Sequence, residues 1–263
     1  MANQVFGTKE WAARNFNFTS GCSHDCKYCY AKSMAIRFGR KTSDNWTQEV
    51  VNLDRLKDAN KHYNGRIMIP SSHDITPNNI DVAVDIIQAL LRHGNELLIV
   101  SKPHLECIER MLPVIRDFSD KVTLRFTIGS CHDDVLHYWE PGAPNFEERL
   151  ACLKTCFDAG LKTSVSAEPI LDTDTRELIR LVSPYVTDAI WIGIPNMLVP
   201  RMRINGNTSP EDMSKACELT QGLSNDYVMG LVGEFDNNSL IKWKESIKKI
   251  AGINLVKKIG EDM

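Results

Sequence analysis

Short aliphatic or β-branched stretches alternate with longer segments of helical periodicity along most of this 263-residue chain. The strand-like stretches are Asn15–Thr19, Arg66–Pro70, Glu96–Ser101, Val122–Ile128, Lys162–Ala167 and Ala189–Gly193, with Gly, Pro or Asp close to their ends. The spacing predicts helices over Asn79–His93, His104–Phe118, Asn145–Ala159, Asp174–Val182 and Ser209–Gly222. In the first of these, Ile80, Val84, Ile87 and Leu91 recur near the helical period and Gly94 supplies a stop. In the last, Ser209 offers a cap and Pro210 takes the first helical position. Alternation with short connections requires parallel strands joined by right-handed crossovers. Six such units predict an α/β fold, a partial, TIM-like (β/α)6 barrel. Tyr227–Phe235 reads as a further strand and Ser239–Ile250 as a closing helix. The expected organisation is thus a barrel over residues 1–225 and a short C-terminal extension over 226–263 that packs on it. Reactive residues of such barrels gather at the carboxyl ends of the strands.

Composition narrows the setting. A chain this long can build a core that needs no disulfides. The first twenty residues contain no apolar core of a signal peptide, and no apolar run reaches the length of a membrane span. The expectation is a cytoplasmic protein without a membrane partner, in a compartment that keeps thiols reduced. A net charge of -3 argues against an electrostatic grip on long duplex nucleic acid. Local basic runs remain at Arg37-Phe38-Gly39-Arg40-Lys41, at Arg201-Met202-Arg203 and from Lys242 to Lys258. The last accompanies a helical pattern and reads as a solvated face.

Three of the eight cysteines fall within eight residues, in Gly21-Cys22-Ser23-His24-Asp25-Cys26-Lys27-Tyr28-Cys29-Tyr30. In a reducing compartment such a cluster reads as metal or redox chemistry. Thiolates spaced C-x3-C-x2-C on one loop can wrap one face of a four-iron cubane and leave one iron without a protein ligand. That corner can chelate the amino and carboxylate groups of S-adenosylmethionine (SAM). An electron from the reduced cluster then breaks a carbon–sulfur bond, giving methionine and a 5′-deoxyadenosyl radical. The competing readings are a zinc site and buried structural cysteines. Zinc usually takes four ligands, in paired groups. His24 is the nearest fourth donor, but its place between Cys22 and Cys26 makes reaching the same metal awkward.

The loop resembles the radical SAM superfamily, and within it the spore photoproduct lyase and DNA repair photolyase-like branch. The branch resemblance rests on Cys26-Lys27-Tyr28-Cys29-Tyr30-Ala31, Ile99-Val100-Ser101-Lys102 and Arg125-Phe126-Thr127-Ile128. It continues through Trp139-Glu140-Pro141-Gly142-Ala143-Pro144 with Glu147-Glu148-Arg149-Leu150, and through Ala159-Gly160-Leu161 and Ala167-Glu168-Pro169-Ile170-Leu171. It runs from about Phe16 to Leu171. The resemblance implies a [4Fe–4S] cluster on Cys22, Cys26 and Cys29, with SAM as co-substrate. It implies that Lys102 faces the SAM carboxylate, that Thr127 hydrogen-bonds SAM and that Asp74 meets the SAM amino group. Tyr28 and Tyr30 would lie near the adenosyl group, Tyr30 with a role in radical transfer. A reductant protein such as flavodoxin or ferredoxin and a nucleic-acid or nucleotide substrate follow as expected partners.

The lyase also needs a hydrogen-donating cysteine near the second strand, where Ser71 and Ser72 stand here. Base modification or rearrangement therefore fits better than dimer repair. Cys131, after the fourth strand, is the candidate hydrogen donor, against a reading as a small buried hydrophobe. Cys152 and Cys156, one helical turn apart, read as core. Glu168, at the end of the fifth strand, is a candidate for the SAM ribose or a substrate amine, and Asn196 a further substrate-side candidate. The alternative functions are a radical SAM enzyme acting on a small metabolite or peptide, and a non-catalytic iron–sulfur or zinc module. The last would not need polar residues after successive strands of a barrel.

Overall fold

The computed structural model describes residues 5 and 7–259. Seven parallel strands form one sheet in chain order: Arg14–Asn15, Ile67–Ile69, Leu97–Ser101, Val122–Thr127, Lys162–Ala167, Ile190–Ile192 and Ile241–Trp243. Among the described residues the first and last strands pair with no eighth, so the barrel is partial. Alternate residues divide the sheet between two environments, as a period of two requires. Ile67, Ile69, Leu97, Ile99, Leu124, Phe126, Val165 and Ile192 join the large core. Met68, Leu98 and Trp191 point the other way and pack with Trp11 inside the barrel. Each fully buried aliphatic or aromatic side chain contributes about 1.5–3 kcal/mol.

The five expected helices are present, at Ile80–Arg92, Leu105–Arg116, Phe146–Asp158, Thr175–Val182 and Pro210–Gly222. Helix Ile80–Arg92 buries Ile80, Ala83, Ile86, Ile87, Leu90 and Leu91, one continuous stripe. Asn145 caps the third by accepting from the Glu148 amide at 2.9 Å. Ser209 and Asp212 close a capping box on the fifth.

Three expectations are corrected. The first strand does not run through Asn15–Thr19. It ends at Asn15, and Thr19–Ser20 pairs antiparallel with Val50–Val51 in a separate ribbon. The chain thereby leaves the sheet to present the cysteine loop. The segment from Tyr227 to Phe235 belongs to a helix, Asn225–Phe235, and not to a strand. Val228 and Leu231 are buried at helical spacing, and Ser224 caps the first turn by accepting from the Tyr227 amide at 3.3 Å. The closing helix is shorter than expected. Ile241–Trp243 is the seventh strand, with Ile241 buried and Lys242 exposed, and the helix runs only over Glu245–Ala251. Residues after 225 therefore supply the last strand of the sheet. Among the described residues no helix is long and apolar enough to cross a membrane.

Candidate active site

A cavity of about 580 Å³ opens at the carboxyl ends of the strands. Its lining takes in Cys22, Cys26, Tyr28, Cys29 and Tyr30 from the loop after the first strand. Ser71–Asp74 follow the second strand, Ser101 and Lys102 end the third, and Thr127 ends the fourth. Glu168 follows the fifth strand, Asn196 and Arg201 the sixth, and Lys244 the seventh. Every expected cofactor residue is thus brought to one cavity, together with Tyr30 and Asn196.

Cys131 is not brought there. It sits before helix Asp133–Trp139, half-buried against the core, and burial with the nearby Asp172 pushes its thiol up to about 11. Cys152 and Cys156 are fully buried in the core. Ser71 and Ser72 stand at the cavity, and Asn17 holds Ser71 through its amide at 2.7 Å and its hydroxyl at 3.1 Å.

The cysteine loop is held open by specific backbone. Gly21 has φ +92, and a Cβ there would lie 2.5 Å from the Gln48 carbonyl oxygen. The Cys22 amide donates to Trp46 O at 3.0 Å. Asp25 adopts φ +47 and is fixed by the Lys32 ammonium at 2.7 Å. Cys29 caps helix Tyr30–Arg37, its sulfur accepting from the Lys32 amide at 3.3 Å. From behind, Lys27 N donates to Trp139 O at 2.9 Å and Gly142 N to His24 O at 3.1 Å. A Cβ on Gly142 would come within 2.2 Å of Ser23 O. The Trp139–Pro144 string that marks the branch resemblance is therefore the backing on which the cysteine loop lies.

The charges are arranged in two layers. Asp74 accepts from Ser101 Oγ at 2.5 Å and from Lys102 N at 3.0 Å, and lies 3.2 Å from His24 Nδ1. Burial would raise its carboxyl, but His24, Lys102 and Ser101 outweigh that and hold it below the usual carboxylate range. His24 is further engaged by His104, with the two Nε2 atoms 2.9 Å apart. Beneath lies Glu140, fully buried, 2.6 Å from the equally buried Arg149 and 3.8 Å from Lys102 Nζ, and accepting from the Tyr28 hydroxyl. Sequence reasoning missed this pair, although both residues stand in the branch-like stretches. Burial opposes the charge on Lys102, yet Cys26, Glu140 and Asp74 keep it protonated well above the ordinary lysine range.

On the opposite wall Glu168 lies 3.7 Å from Lys244 Nζ, and Lys244 lies 2.7 Å from Glu10. Burial raises the Glu168 carboxyl, partly offset by Lys244. The Lys244 ammonium also sits 4.1 Å above Trp11, and the Arg125 guanidinium 4.6 Å above the same ring. This plug fills the inner end of the barrel and was likewise not read from the sequence.

Burial pushes all three cysteine thiols of the loop up, with Lys102 opposing this at Cys26 and Cys29. Such thiols ionise once a cation is bound among them, which iron provides. Among the described residues no three His, Cys, Asp or Glu side chains close on a single metal ion. A cluster does not require that, because each thiolate binds a different iron. His24, committed to Asp74 and His104, is not free to serve as a fourth donor. The donor set fits an iron–sulfur cluster on three thiolates.

The family model of the radical SAM superfamily matches residues 16–182. An uncharacterized protein of Acidianus two-tailed virus is 26% identical over 195 residues, 68% of this chain and 63% of that one. An uncharacterized protein of Methanocaldococcus jannaschii is 28% identical over 171 residues, 63% of this chain and 64% of that one. The chain spans a little under two thirds of the length of these curated relatives. Spore photoproduct lyase complexed with dinucleoside spore photoproduct superposes with a TM-score of 0.53 at 18% identity, over 75% of this chain and 61% of that one. Streptococcus suis SuiB bound to precursor peptide SuiA gives 0.54 at 13% identity, over 91% and 50%. These two likenesses are of fold. The family match covers more than half of the chain, which therefore belongs to the radical SAM superfamily, with S-adenosylmethionine and an iron–sulfur cluster as the cofactors that membership implies.

Proposed function

We propose that this protein is an enzyme that uses a [4Fe–4S] cluster on Cys22, Cys26 and Cys29 to cleave SAM, and that its substrate is a nucleobase or nucleic acid that it modifies or rearranges. The observation that carries the reading is the convergence of three thiols, Asp74, Lys102 and Thr127 on one cavity at the strand ends. When bound, the reduced cluster supplies the electron that releases methionine and the 5′-deoxyadenosyl radical. The chain's own residues bind and orient. The Asp74 carboxylate, kept ionised, faces the SAM ammonium, and the Lys102 ammonium faces its carboxylate, a charge-assisted pairing at each end of the amino-acid moiety. Thr127 adds a hydroxyl, and Tyr28 and Tyr30 line the adenosyl side. Glu168 lies farther across the cavity, where a ribose diol or a substrate amine can meet it. A cavity at the mouth of the barrel suits a base taken out of its stack. A reductant such as flavodoxin or ferredoxin completes the reaction, in a compartment, such as the cytoplasm, that keeps thiols reduced.

Spore photoproduct lyase, a similar fold, is complexed with a dinucleoside photoproduct, which favours the nucleobase reading; Ser71 and Ser72 at the cavity favour a reaction other than that repair. SuiB, bound to its precursor peptide, motivates the second reading, a peptide substrate. The test is isotopic. Anaerobically reconstituted protein is reduced with SAM and a short oligonucleotide deuterated in its bases, and 5′-deoxyadenosine is examined by mass spectrometry. Deuterium in the adenosyl product supports the reading. Unlabelled 5′-deoxyadenosine, with label transfer from a deuterated peptide instead, replaces the nucleobase with the peptide.

A further inference from the structure

The fold brings two of the basic runs in the sequence together beside the cavity. Helix Tyr30–Arg37 packs against helix Leu198–Asn205. On the first, Ala31, Lys32, Ser33 and Ala35 face inward, while Tyr30, Met34, Arg37 and Phe38 are exposed at spacings of four, seven and eight residues, one outward stripe. On the second, Leu198, Met202 and Asn205 are buried, Met197 and Ile204 are exposed, and Arg201 lies half-buried on the same side as these two. The stripes meet where the Arg201 guanidinium lies 5.9 Å from the centre of the Tyr30 ring, and both residues line the cavity. At the far end the Arg40 guanidinium lies 5.6 Å from the Phe38 ring, which is 62% exposed.

The two segments that build this face carry charge of one sign. Neither residues 30–41 nor residues 197–207 contain an aspartate or glutamate. Lys41 spends its ammonium on the carbonyls of Gln48 and Asn45, at 2.8 and 3.4 Å. The field on this side is therefore carried by Arg37, Arg40 and Arg201, while Arg203, two residues further along its helix, points elsewhere. Arginine is the side chain suited both to phosphate and to stacking on planar rings. Phe38, the C-cap, lies eight steps along the chain from Tyr30, about 12 Å at the helical rise. That is the length of about three stacked nucleotides at ~3.4 Å each.

We propose that this face is a track for single-stranded nucleic acid, with Phe38 as an outer stacking platform, the arginines on the phosphates, and Tyr30 and Arg201 at the mouth where a base turns inward. Exposed rings with cations beside them, continuous with a reactive cavity, are what sequence-tolerant binding of single strands uses. An acidic protein partner needs the cations but not two open ring faces. The proposal deepens the nucleobase reading above and rests on it.

The test measures fluorescence anisotropy of a labelled twelve-nucleotide single strand with the anaerobic holoprotein across salt. The double variant Arg37→Gln/Arg40→Gln is expected to bind at least about ten-fold more weakly at low salt, with the slope of log K against log salt flatter by about 1.4. Phe38→Ala is expected to lose about ten-fold with its slope unchanged. Substrate-free SAM cleavage with dithionite stays the same in both, and circular dichroism reports the fold. Wild-type binding that neither substitution changes overturns the track and leaves the nucleobase reading standing. No wild-type binding overturns both. Unchanged oligonucleotide binding with impaired flavodoxin-driven, but not dithionite-driven, SAM cleavage assigns the face to an electron donor instead.

Discussion

Glu140→Gln tests the support beneath the cysteine loop. Glu140 and Arg149 are each fully buried, 2.6 Å apart, and Glu140 also accepts from Tyr28 and lies 3.8 Å from Lys102. Neutralising the carboxylate leaves the guanidinium without its counter-charge in a site closed to water. Removing one partner of a buried pair costs about 3–5 kcal/mol. Arg149 keeps two carbonyl acceptors, Pro144 O at 2.8 Å and Thr127 O at 3.2 Å, so the lower end applies. A loss of about 3 kcal/mol lowers the melting temperature of a domain this size by about 6–12 °C. The assay is thermal unfolding of the metal-free protein, with Arg149→Met and the double variant completing a cycle. The double variant is expected to regain part of the loss, because neither member of the pair is then left as a buried charge without its partner. A drop below about 1 kcal/mol for Glu140→Gln, or strictly additive losses in the cycle, refutes the pairing as the source of stability.

Three further outcomes are expected. Gly142→Ala places a Cβ against Ser23 O and displaces the cysteine loop, so iron and sulfide content after reconstitution falls while circular dichroism stays unchanged. Asp212, in the capping box and bonded to Lys27 at 2.6 Å and Tyr138 at 3.0 Å, has its carboxyl lowered to about 2: burial raises it, and Lys27, Ser209 and Tyr138 outweigh burial. Its contribution, about 2 kcal/mol at about 1.4 per pH unit, is complete above the ordinary carboxylate value and is lost as pH falls through the folded one. The gap in urea stability between wild type and Asp212→Asn is therefore widest at neutral pH and closes in acid; a gap that does not depend on pH contradicts this. Cys131→Ser is expected to leave SAM cleavage and product formation unchanged, because the thiol lies outside the cavity lining. Loss of product formation with SAM cleavage and label transfer intact would restore it as hydrogen donor.

Much of the architecture was legible because two periods carry it. The strands from Ile67 to Ile192 and the helices between them repeat apolar residues at two and at about 3.6, and the flanking Gly and Pro mark their ends. The C-terminal part misled for physical reasons. Tyr227, Val228, Leu231, Val232 and Phe235 interrupted by two glycines have strand-like composition, yet their tertiary contacts select a helix. Ile241–Trp243 is only three residues long, and its place is set by pairing with Ile190–Ile192, which no local signal announces. At the site, residues directly after strands were legible by position: Asp74, Lys102, Thr127 and Glu168 all reach the cavity. Position failed for Cys131, whose segment turns away from the mouth into helix Asp133–Trp139. Nor could position reveal Glu140 with Arg149, or Lys244 with Glu10, since each pair depends on loops that meet only in the folded chain.

The most direct measurement is the electron paramagnetic resonance spectrum of the anaerobically reconstituted, reduced protein, before and after SAM. A cluster with one iron free of protein ligand gives a [4Fe–4S] signal that shifts when SAM is added and yields 5′-deoxyadenosine on warming. A signal indifferent to SAM, or a protein that retains only zinc, contradicts the account.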